Sequence, residues 1–417
     1  MEKKDKIYVK IELNKNEIKE NHKDKTKYLI ILIIIIIIYF AIVISTEITY
    51  REKLYKNSIK IQEKIRKKHD KDSAFYKCFQ FFSDAIIIIC FTLFVIIYLF
   101  FPLSSSFLVF QSANFANYIV NLFKIIYRSP RPYWESTILD TTCETGYGNP
   151  SGHSLVSVSF FFVMAHIYTN FNFFRKTNKG KFLRIIIFFF FICLAYLIVI
   201  SRLLLSAHSM NQIIYGSLLG IGVYFLEIYI LSYHTYSSEE FIQHMTKIRN
   251  VIIYMILYVS MLVLLIIIYF SVEDDKRIER QINKNVYNGI KCNFKKKFEL
   301  LKLDGFTKAL TINSLIGGYL GIVLLIHFLK KLNFSLEYVN IFNRSSPKRW
   351  LIRLPILILS GIFFILYIAI PKSSPISIIV IFKFALAFFL TGFGIYFPGI
   401  FICIYCNFGN ENIKKIE

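Results

Sequence analysis

Five charged or titratable side chains, placed in three short blocks, together have the chemistry to bind and attack a phosphate ester. The cations are Lys124, Arg131 and Arg202, and the histidines are His153 and His208. Each block lies at the end of an apolar run, where charge is costly and usually serves a function. Arginine binds phosphate through paired hydrogen bonds, lysine acts as a point charge, and histidine serves as nucleophile or general acid.

The middle block, Pro150-Ser151-Gly152-His153, opens an apolar segment that we predict to be a helix. Asn149 or Ser151 can cap this helix, and proline is tolerated in the first turn. The backbone N–H groups and the helix dipole at such a terminus bind oxyanions, and Gly152 lets an anion approach the backbone closely. The block therefore predicts a phosphate site with His153 beside it.

The other two blocks are predicted to supply the cations and the nucleophile. Lys124 and Arg131 are seven residues apart, two turns on one face if the helix continues, but the prolines beside Arg131 predict that it ends near there. His208 and Gln212 are four residues apart and share a helix face. We expect the Gln212 side-chain oxygen to accept the Nδ1 proton of His208, which leaves Nε2 free to attack.

The composition indicates a membrane protein that must carry these blocks at the ends of its spans. The chain has 417 residues, of which 55% are hydrophobic, and the apolar residues form long runs. The net charge is +23, and the Lys and Arg residues cluster between those runs, as expected for membrane loops that face lipid headgroups. We therefore predict that the protein contacts a lipid bilayer and binds no nucleic acid. The seven cysteines show no metal-ligand spacing, and Cys403 and Cys406 fall inside an apolar run, so we predict no metal site.

Ten apolar segments are predicted to span the membrane. The third carries Gln111, Asn114, Asn117 and Asn121, so we expect it to line the protein interior. The ten segments are Tyr28–Ser45, Ala85–Phe101, Ser106–Ile126, Ser154–Phe171, Phe182–Ile200, Met210–Ser232, Val251–Phe270, Leu310–Leu329, Leu351–Ile370 and Ile376–Ile404.

The short basic loops around residues 175–184 and 330–353 indicate the orientation, because positive loops stay cytosolic. Counting spans from either loop puts all three blocks on the non-cytosolic side and both chain ends in the cytosol. The longer basic segment Thr46–Ser83 then falls on the non-cytosolic side, where we expect an amphipathic surface helix. Lys414 and Lys415 resemble a dilysine retrieval signal, which predicts an endoplasmic reticulum membrane protein with a lumenal site that binds the coat-protein retrieval machinery.

The three blocks together resemble a known family. The order K-x6-R-P, P-S-G-H and S-R-x5-H-x3-D marks the type 2 phosphatidic acid phosphatase superfamily, which includes the vanadium haloperoxidases; Gln212 stands where that pattern has Asp. H-x-x-x-Q, R-P-Y-W at Arg131–Trp134 and C-E-T-G-x-G-x-P-S-G-H at Cys143–His153 are similar to glucose-6-phosphatase. The apolar segments predict an all-α, polytopic membrane helical bundle of about ten spans, with Tyr28–Ser45 as one extra span ahead of the family's usual layout. The resemblance implies that this bundle has a phosphatidic acid phosphatase/haloperoxidase-like core.

The resemblance also implies a mechanism without metal or cofactor, because the protein's own cations supply the charge. His208 forms a phosphohistidine, His153 protonates the leaving alcohol and then activates water, and Gln212 orients His208. The phosphate-binding residues implied are Lys124, Arg131, Ser151, Gly152 and Arg202.

The expected activity is therefore phosphomonoester hydrolysis, with glucose 6-phosphate or a similar sugar phosphate as substrate and a role in gluconeogenesis. One alternative is a lipid phosphatase that acts on phosphatidate, sphingoid phosphate or polyprenyl diphosphate, because the site lies at the membrane surface. Another is an inactive relative with a transport or scaffold role, which the change from Asp to Gln212 motivates.

The chain is predicted to divide into five parts. They are a cytosolic polar tail at 1–27, an extra N-terminal span and charged segment at 28–83, a phosphatase core at 84–235, C-terminal spans at 236–406, and a cytosolic tail at 407–417.

Overall fold

The computed structural model shows an all-helical protein in the residues that it describes, which confirms the predicted fold class. Those residues are 2–69, 73–101, 103–136, 138–139, 146–170, 178–231, 238–272, 301–332, 358 and 379–397. Several predictions fall outside these ranges: the dilysine tail, the span Leu351–Ile370 apart from Ile358, and the pair Cys403 and Cys406.

Twelve α-helices and two π-helices are described. They are α1 (Glu2–Lys68), α2 (Ala74–Phe100), α3 (Leu103–Tyr127), α4 (Pro132–Glu135), α5 (Gly152–Asn170), α6 (Asn178–Leu204), α7 (Met210–Phe225), a π-helix (Leu226–Leu231), α8 (Ser238–Thr246), α9 (Ile248–Ser271), α10 (Leu301–Ala309), α11 (Ile312–Lys331), a second π-helix (Ile379–Leu386) and α12 (Ala387–Tyr396).

Within the described ranges, seven helices are long and apolar enough to cross a membrane. The chain is thus a multi-pass membrane protein, while the count of ten spans stays a prediction. Helix α3 is not among the seven, because its polar residues lower its hydropathy. It is instead packed inside the bundle, with Gln111, Ser112 and Asn121 buried, as expected for a segment that lines the interior.

The segment Thr46–Ser83 is not a separate surface helix. Helix α1 continues through Ser45 to Lys68, and α2 begins at Ala74. No proline or glycine interrupts residues 28–68, so nothing in the backbone ends the helix where its hydropathy falls. The fall in hydropathy after Ser45 therefore occurs within one continuous helix and does not mark its end. The same helix also continues across the predicted boundary between the polar tail and the first span at residues 27 and 28.

Helix α1 lies antiparallel to α7 and carries its second half towards the start of that helix. The Tyr39 hydroxyl donates to the Leu218 carbonyl at 2.8 Å, and eight residues further along α1 the Glu47 carboxylate meets Asn211 at 3.0 Å. The end of α1 therefore lies beside the block that contains His208.

Helices α5 and α7 pack closely because two glycines on α7 face the backbone of α5. A Cβ atom at Gly216 would lie 2.7 Å from the Ser151 carbonyl oxygen, and one at Gly220 would lie 2.7 Å from the Leu155 carbonyl oxygen. No side chain fits there. This contact sets the middle and last sequence blocks side by side.

Candidate active site

The three sequence blocks meet through a cycle of hydrogen bonds to backbone carbonyls. The Gly148 N–H donates to the Ser129 carbonyl at 2.8 Å, and the Ser151 N–H donates to the Gln212 carbonyl at 3.0 Å. The Gln212 Nε2 group closes the cycle by donating to the Pro130 carbonyl at 2.7 Å. Each block is thus joined to both of the others.

The His208 ring lies between acceptors on one side and a donor on the other. Its Nδ1 atom is 2.8 Å from the Gly148 carbonyl oxygen and 3.2 Å from Gln212 Oε1. Its Nε2 atom is 3.2 Å from an Arg131 guanidinium nitrogen. Because an N–H must face the carbonyl and a lone pair must face the guanidinium, these partners assign the proton to Nδ1 and leave Nε2 with its lone pair.

The nearest partner of Nδ1 is a backbone carbonyl that the sequence analysis missed. We expected Gln212 to hold Nδ1, yet the Gly148 oxygen is closer, since Gln212 Oε1 also accepts from the Ser209 N–H at 3.2 Å in the capping box of α7. The sequence feature that could have pointed to this carbonyl is the glycine at position 148, because glycine often marks a close approach of the backbone to another group. A Cβ atom there would lie 2.6 Å from Gln212 Nε2 and 2.7 Å from the Pro130 carbonyl oxygen.

Replacing Gly148 by alanine is therefore expected to lower kcat by about 10²-fold, because the added methyl group displaces the carbonyl that orients His208. The measurement is steady-state hydrolysis of a phosphate monoester by the full-length protein in membranes. Gly318→Ala is the matched control, because a Cβ atom there meets only side-chain ring atoms of Phe110 and Tyr396, the nearest at 3.1 Å. Equal activities of the two variants would show that the close approach at Gly148 has no catalytic role.

Arg131 links the first block to both of the others. It precedes α4 in an extended conformation and is 2% exposed. Its Nε–H donates to the Gly146 carbonyl at 2.9 Å, and one terminal nitrogen donates to the Ala207 carbonyl at 3.2 Å as well as lying beside His208. A guanidinium fixed in this way places positive charge next to the Nε2 atom of His208.

Lys124 and Arg131 do not share a helix face, because α3 ends at Tyr127 as the neighbouring prolines predicted. The chain reverses at Arg128, whose φ of 47° lies in the left-handed region. Lys124 nevertheless reaches the site from the last turn of α3, with its Nζ atom 3.7 Å from the Cβ position of Gly152. The two cations therefore approach the same helix terminus from separate elements.

Helix α5 begins at Gly152, and Ser151 caps it through a contact of 3.4 Å from the Ser154 N–H to the Ser151 hydroxyl. The expected role of the Ser151 backbone in phosphate binding needs correction, because that N–H donates to the Gln212 carbonyl. The first-turn N–H group of Gly152 remains a helix-terminus donor, since such positions have no acceptor within the helix. His153 is half-buried in this turn.

Arg202 lies in the last turn of α6 and is 2% exposed. Its carbonyl accepts from the N–H groups of Ala207 at 3.1 Å and His208 at 3.3 Å, which folds the intervening loop back onto the helix. Its guanidinium donates to the Ser83 hydroxyl of α2, a partner that the sequence analysis did not identify. Arg202 therefore supports His208 through its backbone, while its guanidinium contacts α2.

The part of the chain that the structure describes contains no group of three or more His, Cys, Asp or Glu side chains arranged to hold a metal ion.

Known proteins resemble the part of the chain that contains this site. The PAP2 superfamily model matches residues 105–236. Glucose-6-phosphatase catalytic subunit 1 of Felis catus is 31% identical over 122 residues, that of Mus musculus 32% and that of Bos taurus 31%; each match covers 24% of this chain and 33% of the relative. The chain thus spans about one third of the length of these curated relatives. No solved structure matches the chain.

The matched region contains every predicted site residue from Lys124 to Gln212, and it leaves helix α1 outside. The resemblance stated from the sequence motifs is confirmed for this region, because the PAP2 superfamily model matches residues 105–236.

Proposed function

We propose that this protein is a phosphomonoesterase that works through a phosphohistidine on His208. The orientation of the His208 ring carries the proposal. Its Nδ1–H faces the Gly148 carbonyl at 2.8 Å, and its Nε2 lone pair faces the Arg131 guanidinium at 3.2 Å. A nucleophile needs this arrangement, since the tautomer is fixed on one side and the attacking lone pair lies where an anion binds on the other.

The reaction proceeds in two displacements at phosphorus. In the first, His208 Nε2 attacks in line, the bond from phosphorus to the leaving oxygen breaks, and His153 gives its proton to the departing alcohol. In the second, His153 takes a proton from water, the water oxygen attacks the phosphohistidine, and the bond from phosphorus to Nε2 breaks to release phosphate. The same histidine thus acts first as acid and then as base.

The charge on the phosphoryl oxygens is balanced by the protein's own groups. Lys124, Arg131 and Arg202 supply three cations, and the start of α5 supplies a backbone donor at Gly152. Fixed donors of this kind stabilise a transition state without reorganisation. We therefore propose that the reaction requires no metal ion.

Gln212 has a positioning role in this mechanism. Its Oε1 atom lies 3.2 Å from Nδ1 of His208, and its Nε2 group is bound to the Pro130 carbonyl. A neutral amide stabilises the imidazolium less than a carboxylate does, and the Gly148 carbonyl shares the same proton. The change from the superfamily's Asp therefore leaves the orienting contact in place, which supports an active enzyme over the inactive relative.

A sugar phosphate such as glucose 6-phosphate is the substrate that we propose. The support is the identity to the glucose-6-phosphatase catalytic subunits over the region with the motifs, together with the H-x-x-x-Q spacing of His208 and Gln212. A lipid phosphate is the second candidate, because the site lies at the ends of helices in a membrane bundle, where a headgroup can enter from the side.

A side-by-side assay in microsomes separates these candidates. We expect kcat/KM for glucose 6-phosphate to exceed that for phosphatidate, sphingoid phosphate and polyprenyl diphosphate by at least about tenfold, because a site built to bind sugar hydroxyls rejects a substrate without them. The His208→Ala variant in the same membranes is the control for background phosphatase. The opposite preference would assign the protein to the lipid phosphatases, and absence of hydrolysis with every ester would favour the transport or scaffold role.

We further propose that the protein resides in the endoplasmic reticulum membrane with the site in the lumen, where it serves gluconeogenesis. The positive loops and the dilysine sequence at Lys414 and Lys415 support this location. The same microsomes test the orientation, since a lumenal site gives latent activity that detergent releases.

A further inference from the structure

Helix α1 lies outside the region that matches the PAP2 superfamily model, yet it reaches the candidate active site through three buried polar side chains. Glu47 is 6% exposed, Ser58 is 0% exposed and Gln62 is 1% exposed. Steps of eleven and four residues keep all three on one face of a helix. This face meets the protein, whereas Glu52 and Asn57 on the same helix are exposed.

Glu47 ties the middle block to the last one. Its Oε1 atom accepts from the Asn149 side-chain amide at 2.7 Å and from the Asn211 side-chain amide at 3.0 Å. Asn149 directly follows Gly148, whose carbonyl holds His208, and Asn211 directly precedes Gln212. One carboxylate oxygen therefore fixes the spacing between the acceptor of the Nδ1 proton and the helix that follows the nucleophile.

Gln62 and Ser58 hold the loop that carries the nucleophile. The Gln62 amide donates to the His208 carbonyl at 2.8 Å and to the Leu203 carbonyl at 3.0 Å. The Ser58 hydroxyl accepts from the Met210 N–H at 2.9 Å. The loop between Leu203 and Met210 is thus bound at both ends and at His208 by side chains of one helix.

We propose that α1 is a positioning element of the active site, and that Glu47 and Gln62 are positioning residues for the phosphoryl transfer to His208. This inference rests on the proposed function. The position of Glu47 supports it, because a buried carboxylate is costly and is retained where its hydrogen bonds are needed. Removal of the Glu47 carboxylate leaves two buried amides without that acceptor and allows the segment around Gly148 to move relative to His208.

The test compares Glu47→Ala, Glu47→Gln and the control Glu52→Ala in the full-length protein. We expect Glu47→Ala to lower kcat by about 10²-fold, with KM and inhibition by inorganic phosphate changed by less than about threefold, because the loss affects alignment and not the cations that bind phosphate. Glu47→Gln keeps an oxygen acceptor and is expected to restore kcat to within about tenfold of the wild type. Glu52→Ala should behave as the wild type.

A second pair keeps the inference testable if Glu47→Ala does not fold. Gln62→Ala removes the donor to the His208 carbonyl and should lower kcat by about tenfold, against no change for the exposed neighbour Asn57→Ala. The positioning role would be overturned if Glu47→Ala or Gln62→Ala folded and kept the wild-type kcat. If the wild-type protein still formed its phosphoenzyme in that case, the proposed function would stand. Equal losses in Glu47→Gln and Glu47→Ala would overturn the positioning role as well. Wild-type protein without a phosphoenzyme would instead remove the function on which the inference rests.

Discussion

Replacing His208 by alanine is expected to lower kcat for a phosphate monoester by at least about 10⁴-fold, because the reaction loses its nucleophile. The described hydrogen-bond partners of the ring do not supply a substitute. Nε2 lies beside a guanidinium nitrogen of Arg131, and Nδ1 lies beside the Gly148 carbonyl oxygen. The first is a permanent cation and the second is a peptide oxygen, so neither forms a phosphoenzyme.

The measurement is steady-state phosphate release by the full-length protein in membranes, normalised to the amount of folded protein. His327→Ala is the control, because His327 is exposed on α11 and lies outside the region that matches the PAP2 superfamily model. It should retain wild-type activity. Activity of His208→Ala within about tenfold of the wild type would mean that another group attacks phosphorus.

Replacing His153 by alanine is expected to lower kcat by about 10²–10⁴-fold for a substrate with an alkyl leaving group, the usual effect of losing a general acid. The two steps should respond differently to the leaving group. With p-nitrophenyl phosphate the departing phenolate needs little protonation, so the variant should still form the phosphohistidine at a rate close to that of the wild type. Hydrolysis of the phosphohistidine should stay slow, because His153 is not there to activate water. The variant should then release one equivalent of p-nitrophenol per site in a burst, followed by slow turnover.

His166→Ala is the matched control for this experiment, because His166 lies on the same helix α5 and bonds to Tyr224 away from the sequence blocks. We expect it to turn over both substrates as the wild type does. A loss below about tenfold with the alkyl phosphate, or no burst with p-nitrophenyl phosphate, would argue against His153 as the acid and base.

The convergence of the three blocks was predictable from the sequence because each block lies at the end of an apolar run. Spans that alternate direction bring such ends to one side, and charges there need partners or a function. The end of α3 near Arg131 was likewise predictable from Pro130 and Pro132, since proline removes a donor from the helix. These inferences need only hydropathy and the chemistry of single residues.

The acceptor for the His208 ring was not predictable in the same way. A backbone carbonyl has no residue type of its own, so the sequence pointed to the Gln212 side chain and missed Gly148.

The role of α1 was not predictable for a different reason. Its charged second half resembles a surface helix in composition, while the few side chains that face inward, Glu47 and Gln62 among them, are outnumbered by exposed lysines. Only the packing against α7 distinguishes the two faces.

The most direct test of a phosphohistidine mechanism is to trap the intermediate. Full-length protein is mixed with radiolabelled substrate, quenched within one turnover, and digested to map the label. We predict an acid-labile phosphate on the peptide that contains His208, formed and lost at rates at least equal to kcat, and absent from His208→Ala. Label on another residue, or turnover by wild-type protein with no phosphoenzyme formed on this time scale, would contradict the account.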